Sequence, residues 1–266
     1  MAADQDWSGR RLLVVVAHPD DETFGLGSVI ARAARLGGEV TVCCATRGEA
    51  GEVVGDVDVS AGLAVVRERE LRAAARVLGA REVVLLPFGD SDMAGEPPAG
   101  SLVAAPLEDV VAAVADVVAR VRPDVVVTLD PVAGDGHRDH DRIGEATTEA
   151  VHRAAPDAHL YWWALRRELL QRWLDALRQT RPDAAHLDLD AQGLGRPDDQ
   201  ITTVVDTTAD RPTRGAAVAE HRSQRPPHAD MPPEIAEPFL SQDALVRAVP
   251  PWTGGPVESD LLLPPR

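Results

Sequence analysis

The texture of the apolar residues constrains this chain most. Four runs, at 12–17, 40–45, 83–88 and 125–129, are almost unbroken in Val, Leu, Ala and Cys instead of alternating with polar residues. A strand that is apolar on both faces has to be covered on both faces, as in a parallel sheet between helix layers. Segments of helical apolar spacing, at 27–36, 63–78, 107–121 and 143–154, separate and follow these runs. The alternation predicts an α/β fold, Rossmann-like and doubly wound, with a mostly parallel sheet. Gly37-Gly38 and Gly79 mark the ends of the first two helices, and Pro123 follows the third where it cannot continue. Beyond 155 the pattern loosens into an aromatic stretch at 160–165, a helix at 167–178, a Pro/Asp/Gly-containing segment at 181–199, a strand at 201–205 and a helix at 211–221. These signals predict one domain over 1–266: a core at 1–155, a completing subregion at 156–224 and an irregular, proline-containing tail at 225–266.

A chain of 266 residues with 44% hydrophobic content can bury one full core. Its formal net charge of -16 argues against nucleic acid or an anionic membrane surface as partner, since both need a basic patch to displace counterions. Small-molecule ligands fit better, and self-association into a homo-oligomer stays open. Cys43 and Cys44, adjacent inside an apolar run, read as buried thiols and not as a disulfide framework. No leading apolar stretch resembles a signal peptide, and no apolar run reaches the roughly 18 residues that membrane insertion needs, so the expected location is the cytoplasm.

Two polar clusters carry the chemistry. Ala17-His18-Pro19-Asp20-Asp21-Glu22 ends the first apolar run, and His137-Arg138-Asp139-His140 follows the fourth. In an open α/β sheet, sites form at the carboxyl ends of strands beside the switch point, which in the commonest order lies between strands one and four. The two clusters are therefore expected to converge. Imidazoles and carboxylates gathered at one strand end suit a hydrolytic metal site. The competing explanation for the acidic triplet is capping of the following helix. A chance His-Pro-Asp-Asp-Glu string is expected on the order of 10⁻⁴ times in a chain this long, and a second ligand-like cluster makes accident less plausible still.

These residues resemble the LmbE-like, or PIG-L-like, zinc-dependent de-N-acetylases of N-acetylglucosaminyl compounds. Residues Ala17 to Glu22 match the family's Ala-His-Pro-Asp-Asp-Glu element. Thr46-Arg47-Gly48-Glu49-Ala50-Gly51-Glu52 is similar to its Thr-x-Gly-Glu-x-Gly loop, Arg67-Glu68-Arg69-Glu70-Leu71 to its Arg-x-x-Glu-Leu helix, Gly136 to His140 to its Gly-His-x-Asp-His loop, and His221-Arg222-Ser223-Gln224 to its late His-x-Ser-Gln element. The resemblance implies Zn2+, with Fe2+ as the alternative metal, bound by His18, Asp21 and His140. It further implies Asp20 as general base and a protonated His137 assisting the developing oxyanion. Three protein ligands leave positions open for water and a carbonyl oxygen, and Asp139 is placed to orient an imidazole. Arg67 is expected near polar substrate groups, and Glu49 and Asp92 along the cleft. His221 is expected either to reach the site or to cap local structure. The mycothiol-pathway branch carries a tyrosine two residues before the loop's first histidine, where this chain has Asp135. Either substrate handling differs from that branch or another group takes the tyrosine's role. His152, His159, His186 and His228 lack ligand spacing, and Trp162-Trp163 read as core.

The implied activity is removal of an N-acetyl or other small N-acyl group from an amino sugar or its conjugate, with water as nucleophile. Three rivals remain: an amidase of a thiol–sugar conjugate on the same site, a metal-retaining binding module, and a nucleotide-binding oxidoreductase. The last rests only on Gly25-Leu26-Gly27, with Ile30 where a third glycine belongs.

Overall fold

A computed structural model, describing residues 5–180 and 193–262, turns the four apolar runs into the first four strands. β1 (Arg11–Val16), β2 (Glu39–Cys44), β3 (Glu82–Leu85), β4 (Val125–Leu129) and β5 (His159–Trp163) are joined by parallel pairings. β6 (Thr203–Asp206) and β5 each pair antiparallel with β7 (Gln242–Val249), giving the order 3-2-1-4-5-7-6. β1 is an interior strand, with Val14 opposite Val42 on one side and Val127 on the other. Its unbroken apolar run has a direct cause. Leu12, Val14 and Val16 enter one core cluster, and Leu13, Val15 and Ala17 enter the other. At about 1.5–3 kcal/mol for each fully buried Val or Leu side chain, this strand firmly anchors the loop that leaves it.

A single turn, α1 (Asp21–Phe24), follows β1 and leads into α2 (Gly27–Arg35). α2, α3 (Leu63–Val77) and α7 (Arg211–Val218) cover one face of the sheet through Val29, Ile30, Leu71, Ala74 and Ala217. α4 (Leu107–Val121) and α5 (Arg138–Ala154) cover the other through Val110, Val114, Ile143 and Val151. α6 (Arg167–Thr180) packs Leu170, Trp173 and Leu174 against Ile235 of α8 (Pro233–Ser241). The helix stops work as expected: Gly79 adopts φ of 87° after α3, a left-handed backbone that a side chain would oppose. Gly25 and Gly27 serve close packing, against Trp163 and Arg214, with no phosphate loop between strand and helix. Cys43 and Cys44 are free and buried, and burial raises the Cys43 thiol to about 12. No helix among the described residues is long and apolar enough to cross a membrane.

Two expectations need correction. α5 begins at Arg138, five residues ahead of its apolar period, because His137 caps it through a hydrogen bond from the Asp139 N–H. The expected irregular tail instead contains α8 and β7. Pro233 misleads because it stands in the first turn of α8, where a missing N–H costs nothing, although Pro238 lies inside the same helix. β7, in turn, is set by pairing with two sequence-distant strands and has little pattern of its own. The expected segment at 181–199 is described only from 193, and His186 lies outside the described residues.

Deleting residues 242–262 removes both antiparallel pairings of the sheet. The truncated chain is expected to lose its cooperative thermal transition by circular dichroism; a transition kept within a few degrees would show that β7 is dispensable.

Candidate active site

Loops leaving β1, β2, β3 and β4 at their carboxyl ends meet around a cleft of about 230 Å³. His18, Asp20, Asp21, His137 and His140 line it, with Arg67, Asp90 and Asp92 beside them. The two sequence clusters therefore share one cavity.

Each of the two inner histidines has one ring nitrogen committed to a carboxylate. His18 Nε2 lies 3.2 Å from Asp139 Oδ2, and His140 Nδ1 lies 3.0 Å from Asp135 Oδ1. A carboxylate accepts, so in each neutral ring the proton sits on that outer nitrogen. The remaining nitrogens, His18 Nδ1 and His140 Nε2, then face one another as lone pairs 3.2 Å apart. Asp21 closes the triangle, with one oxygen 3.6 Å from His18 Nδ1 and the other 3.3 Å from His140 Nε2. Bonds of about 2.0–2.2 Å at tetrahedral angles separate neighbouring zinc donors by about 3.3–3.6 Å. The three donor pairs lie close to that spacing, so the residues present fit such an ion. His137 stands close enough to the same two imidazoles to be a further candidate ligand, as do Asp90 and Asp139 on the other side of His18.

The electrostatics also call for positive charge. Burial opposes a charge on His18, yet hydrogen bonds to Asp139 and Asp21 prevail and raise it to about 9. Burial likewise opposes charge on His140, and Asp135 and Asp21 raise it well above its usual value. A cation at the centre would displace these protons.

Asp20 sits beside this triangle. Burial lifts its carboxyl to about 6, against the pull of Arg67, whose Nη2 donates to Asp20 Oδ2 at 3.0 Å. A carboxylate tuned toward neutrality can both take and return a proton. Arg67, expected to meet substrate, is buried and already bound: it also donates to Gly48 O and Pro19 O, each at 2.7 Å. Gly48 and Gly51 leave room for it, since a Cβ at either would come within 2.4 Å of the guanidinium. Arg67 thus braces Asp20 and the 46–52 loop.

His137 departs from expectation in charge. Its Nδ1 accepts the Asp139 N–H at 3.2 Å, which places the proton of the neutral ring on Nε2. Burial and the neighbouring His18 and His140 charges lower it to about 4. At that value the ring is neutral and can donate from Nε2, where the resemblance implied an imidazolium.

Other candidates separate by contact. Asp92 lines the cleft at φ of 61°, its N–H donating to Asp90 Oδ1. Glu49 is exposed and accepts the Asp90 N–H, so it ties two loops together and does not line the cleft. Asp135 is taken up by His140 and by the His137 N–H instead of being held ready for substrate. His221 is buried against Glu22 and does not line the cleft either. Sequence reasoning missed Asp90, whose Oδ1 lies 3.8 Å from His18 Nε2, and Ser91, whose N–H donates to Asp139. The carboxyl end of the third strand was the signal that could have found both.

Residues 13–151 match the family described as PIG-L: GlcNAc-PI de-N-acetylase. A 1D-myo-inositol 2-acetamido-2-deoxy-alpha-D-glucopyranoside deacetylase of Mycolicibacterium smegmatis is 39% identical over 232 residues, covering 80% of each chain. The protein of that name from Rhodococcus erythropolis is 34% identical over 284 aligned positions, covering 95% of each. The chain belongs to the PIG-L, or LmbE-like, family.

Solved structures similar to this PIG-L chain show how far the fold alone reaches. The N,N'-diacetylchitobiose deacetylase from Pyrococcus horikoshii superposes with a TM-score of 0.58 at 23% identity, covering 90% of this chain and 83% of that one. GalB, the 4-carboxy-2-hydroxymuconate hydratase from Pseudomonas putida, gives 0.61 at 20%, covering 92% and 99%. One fold carries a deacetylase and a hydratase, so the reaction has to be argued from the site.

For this PIG-L site the carboxylates behind the histidines are expected to set metal affinity. Asp139→Ala and Asp135→Ala should each weaken zinc binding about 10–100-fold in chelator competition, while leaving one metal per chain at saturation. Unchanged affinity in both would show that the outer nitrogens need no carboxylate.

Proposed function

We propose that this chain is a zinc-dependent hydrolase that removes the N-acetyl group, or another small N-acyl group, from an amino sugar within a small glycosidic conjugate. The observation that carries the proposal is the pair of imidazole nitrogens 3.2 Å apart, closed by Asp21, with the raised carboxyl of Asp20 beside them. Two imidazoles and a carboxylate suit zinc and also iron(II), and they exclude a calcium or magnesium cage built from oxygen alone. Membership of the PIG-L family and the relatives named as deacetylases of an acetamido-glucopyranosyl inositol support the substrate class. A cleft of about 230 Å³ suits an acetamido sugar with its aglycone projecting outward.

When bound, the zinc supplies Lewis acidity, polarising the amide carbonyl and easing ionisation of the attacking water. Asp20 accepts the proton as the water oxygen bonds to the acyl carbon. It then delivers that proton to the amine nitrogen as the C–N bond breaks, giving acetate and the free amine. The neutral His137 donates its Nε2–H to the oxygen that gains charge. Arg67 keeps the Asp20 carboxylate aimed at the cleft. Asp135, at the position where the mycothiol-pathway branch has tyrosine, is engaged with His140 and offers no O–H, so His137 is the side-chain donor to the oxyanion in this reading.

Acetate release from a panel of N-acetylglucosaminyl compounds, with zinc and chelator controls, is the test. Asp20→Asn should retain zinc and lose about 10²–10⁴ in kcat, and His137→Ala about 10²–10³. His140→Ala should lose most of the metal. The opposite pattern of metal content would reverse the assigned roles, and bound zinc without acetate release across the panel would favour a binding module.

A further inference from the structure

Asp20 has the least ordinary backbone in the site, with φ of 132° and ψ of -31°. A residue with a side chain avoids this region at a cost on the order of 1–3 kcal/mol, and it persists there only where its surroundings over-determine it. Asp20 also stands at the N-cap position of α1, yet its carboxylate makes no capping hydrogen bond. An aspartate in that place ordinarily turns its side chain onto the first free N–H groups of the helix. Here the carboxylate is directed instead to Arg67 and the cleft.

Glu22, at the second position of the helix, reaches back to the N-cap residue one place earlier than the acid of a capping box would. Its Oε2 accepts the Asp20 N–H at 2.9 Å. Its Oε1 is held in turn, accepting the Thr23 hydroxyl and lying 2.7 Å from His221 Nε2. The Glu22 and His221 side chains are both 0% exposed. His221 follows α7, 199 residues away in sequence, and its ring meets Phe24 edge-on at 5.5 Å. A buried ion pair of this kind is a poor source of stability, since apolar residues of similar volume often serve as well or better. Its stereochemical effect is specific: it fixes an acceptor where a strained N–H needs one.

We infer that Glu22 and His221 are a positioning pair for the general base: by holding the Asp20 N–H they keep its backbone in the strained conformation that frees its carboxylate from helix capping. Arg67 completes the clamp from the other side, through Pro19 O and Asp20 Oδ2. The inference rests on the reading of Asp20 as the proton acceptor. It assigns His221 a role in catalysis without contact with substrate.

Three variants test it by crystallography, zinc content and steady-state kinetics. The double variant Glu22→Leu with His221→Leu removes the acceptor and leaves no unpaired buried charge. It should bind one zinc, show Asp20 at negative φ with its carboxylate turned onto the α1 N–H groups, and lose about 100-fold in kcat with KM within about twofold. Glu22→Gln keeps an acceptor for the Asp20 N–H and should hold φ positive, with kcat within about fivefold of the parent. If the double variant does not fold, His221→Gln beside Glu22→Gln carries the same comparison, the first relaxing Asp20 more than the second. An Asp20 that keeps its φ and its kcat without the pair, or a kcat that falls only in proportion to zinc or folded protein, overturns the inference. A parent enzyme that releases no acetate would defeat the hydrolase reading, while the φ of Asp20 in the variants would still decide the structural claim.

Discussion

Two neutral imidazoles whose outer nitrogens are tied to carboxylates cannot turn away from each other, and the lone pairs they leave inward repel at 3.2 Å. Only a proton or a metal ion relieves that repulsion. Without a metal, the surrounding carboxylates draw protons onto His18 and His140, which is why burial fails to lower either. Metal and proton thus compete for the same nitrogens. In the proposed site Asp139, Asp135 and Asp21 would set the terms of that competition, and the placement of Asp20 and His137 would matter only with the centre formed.

The sheet explains how residues so far apart in sequence reach this point. β1 and β4 are neighbours at the switch point, so their following loops bring His18 and His140 together, while the loops after β2 and β3 deliver Gly48 and Asp90. The later part of the chain ties these loops down. Arg196 forms a paired contact with the buried Asp130, at 2.6 and 3.0 Å, at the root of the loop that carries His137. The Gly195 N–H donates to Gly134 O in the same loop, and Arg138 donates to Ser91 O and Asp92 O across the cleft. The region after β5 therefore acts on the site by bracing its loops.

Much of this was legible in the residues. Unbroken Val and Leu runs forced a buried parallel sheet, and strand-end chemistry pointed to the two clusters that share the cleft, because both signals are local. The start of α5 was hidden because Gly136 to Asp141 has no apolar period and its cap is a histidine, outside the usual Ser, Thr, Asp and Asn set. β7 was hidden because its burial comes from partners about 40 and 80 residues earlier, which no local pattern encodes. Arg67 was placed near substrate by the resemblance alone; its bonds to Gly48 O, Pro19 O and Asp20, made possible by the glycines at 48 and 51, join three loops that no local pattern links. Glu22 was counted with the carboxylates of the first cluster, and its contact with His221, 199 residues later, has no local signal.

The central claim is that His18 Nδ1, His140 Nε2 and an Asp21 oxygen share one divalent ion. A crystal of the zinc-loaded protein, measured at the zinc absorption edge, tests it most directly. The account predicts one strong anomalous peak within about 2.0–2.2 Å of all three atoms. A peak elsewhere, or the two histidine nitrogens joined by a proton with no peak between them, would contradict it.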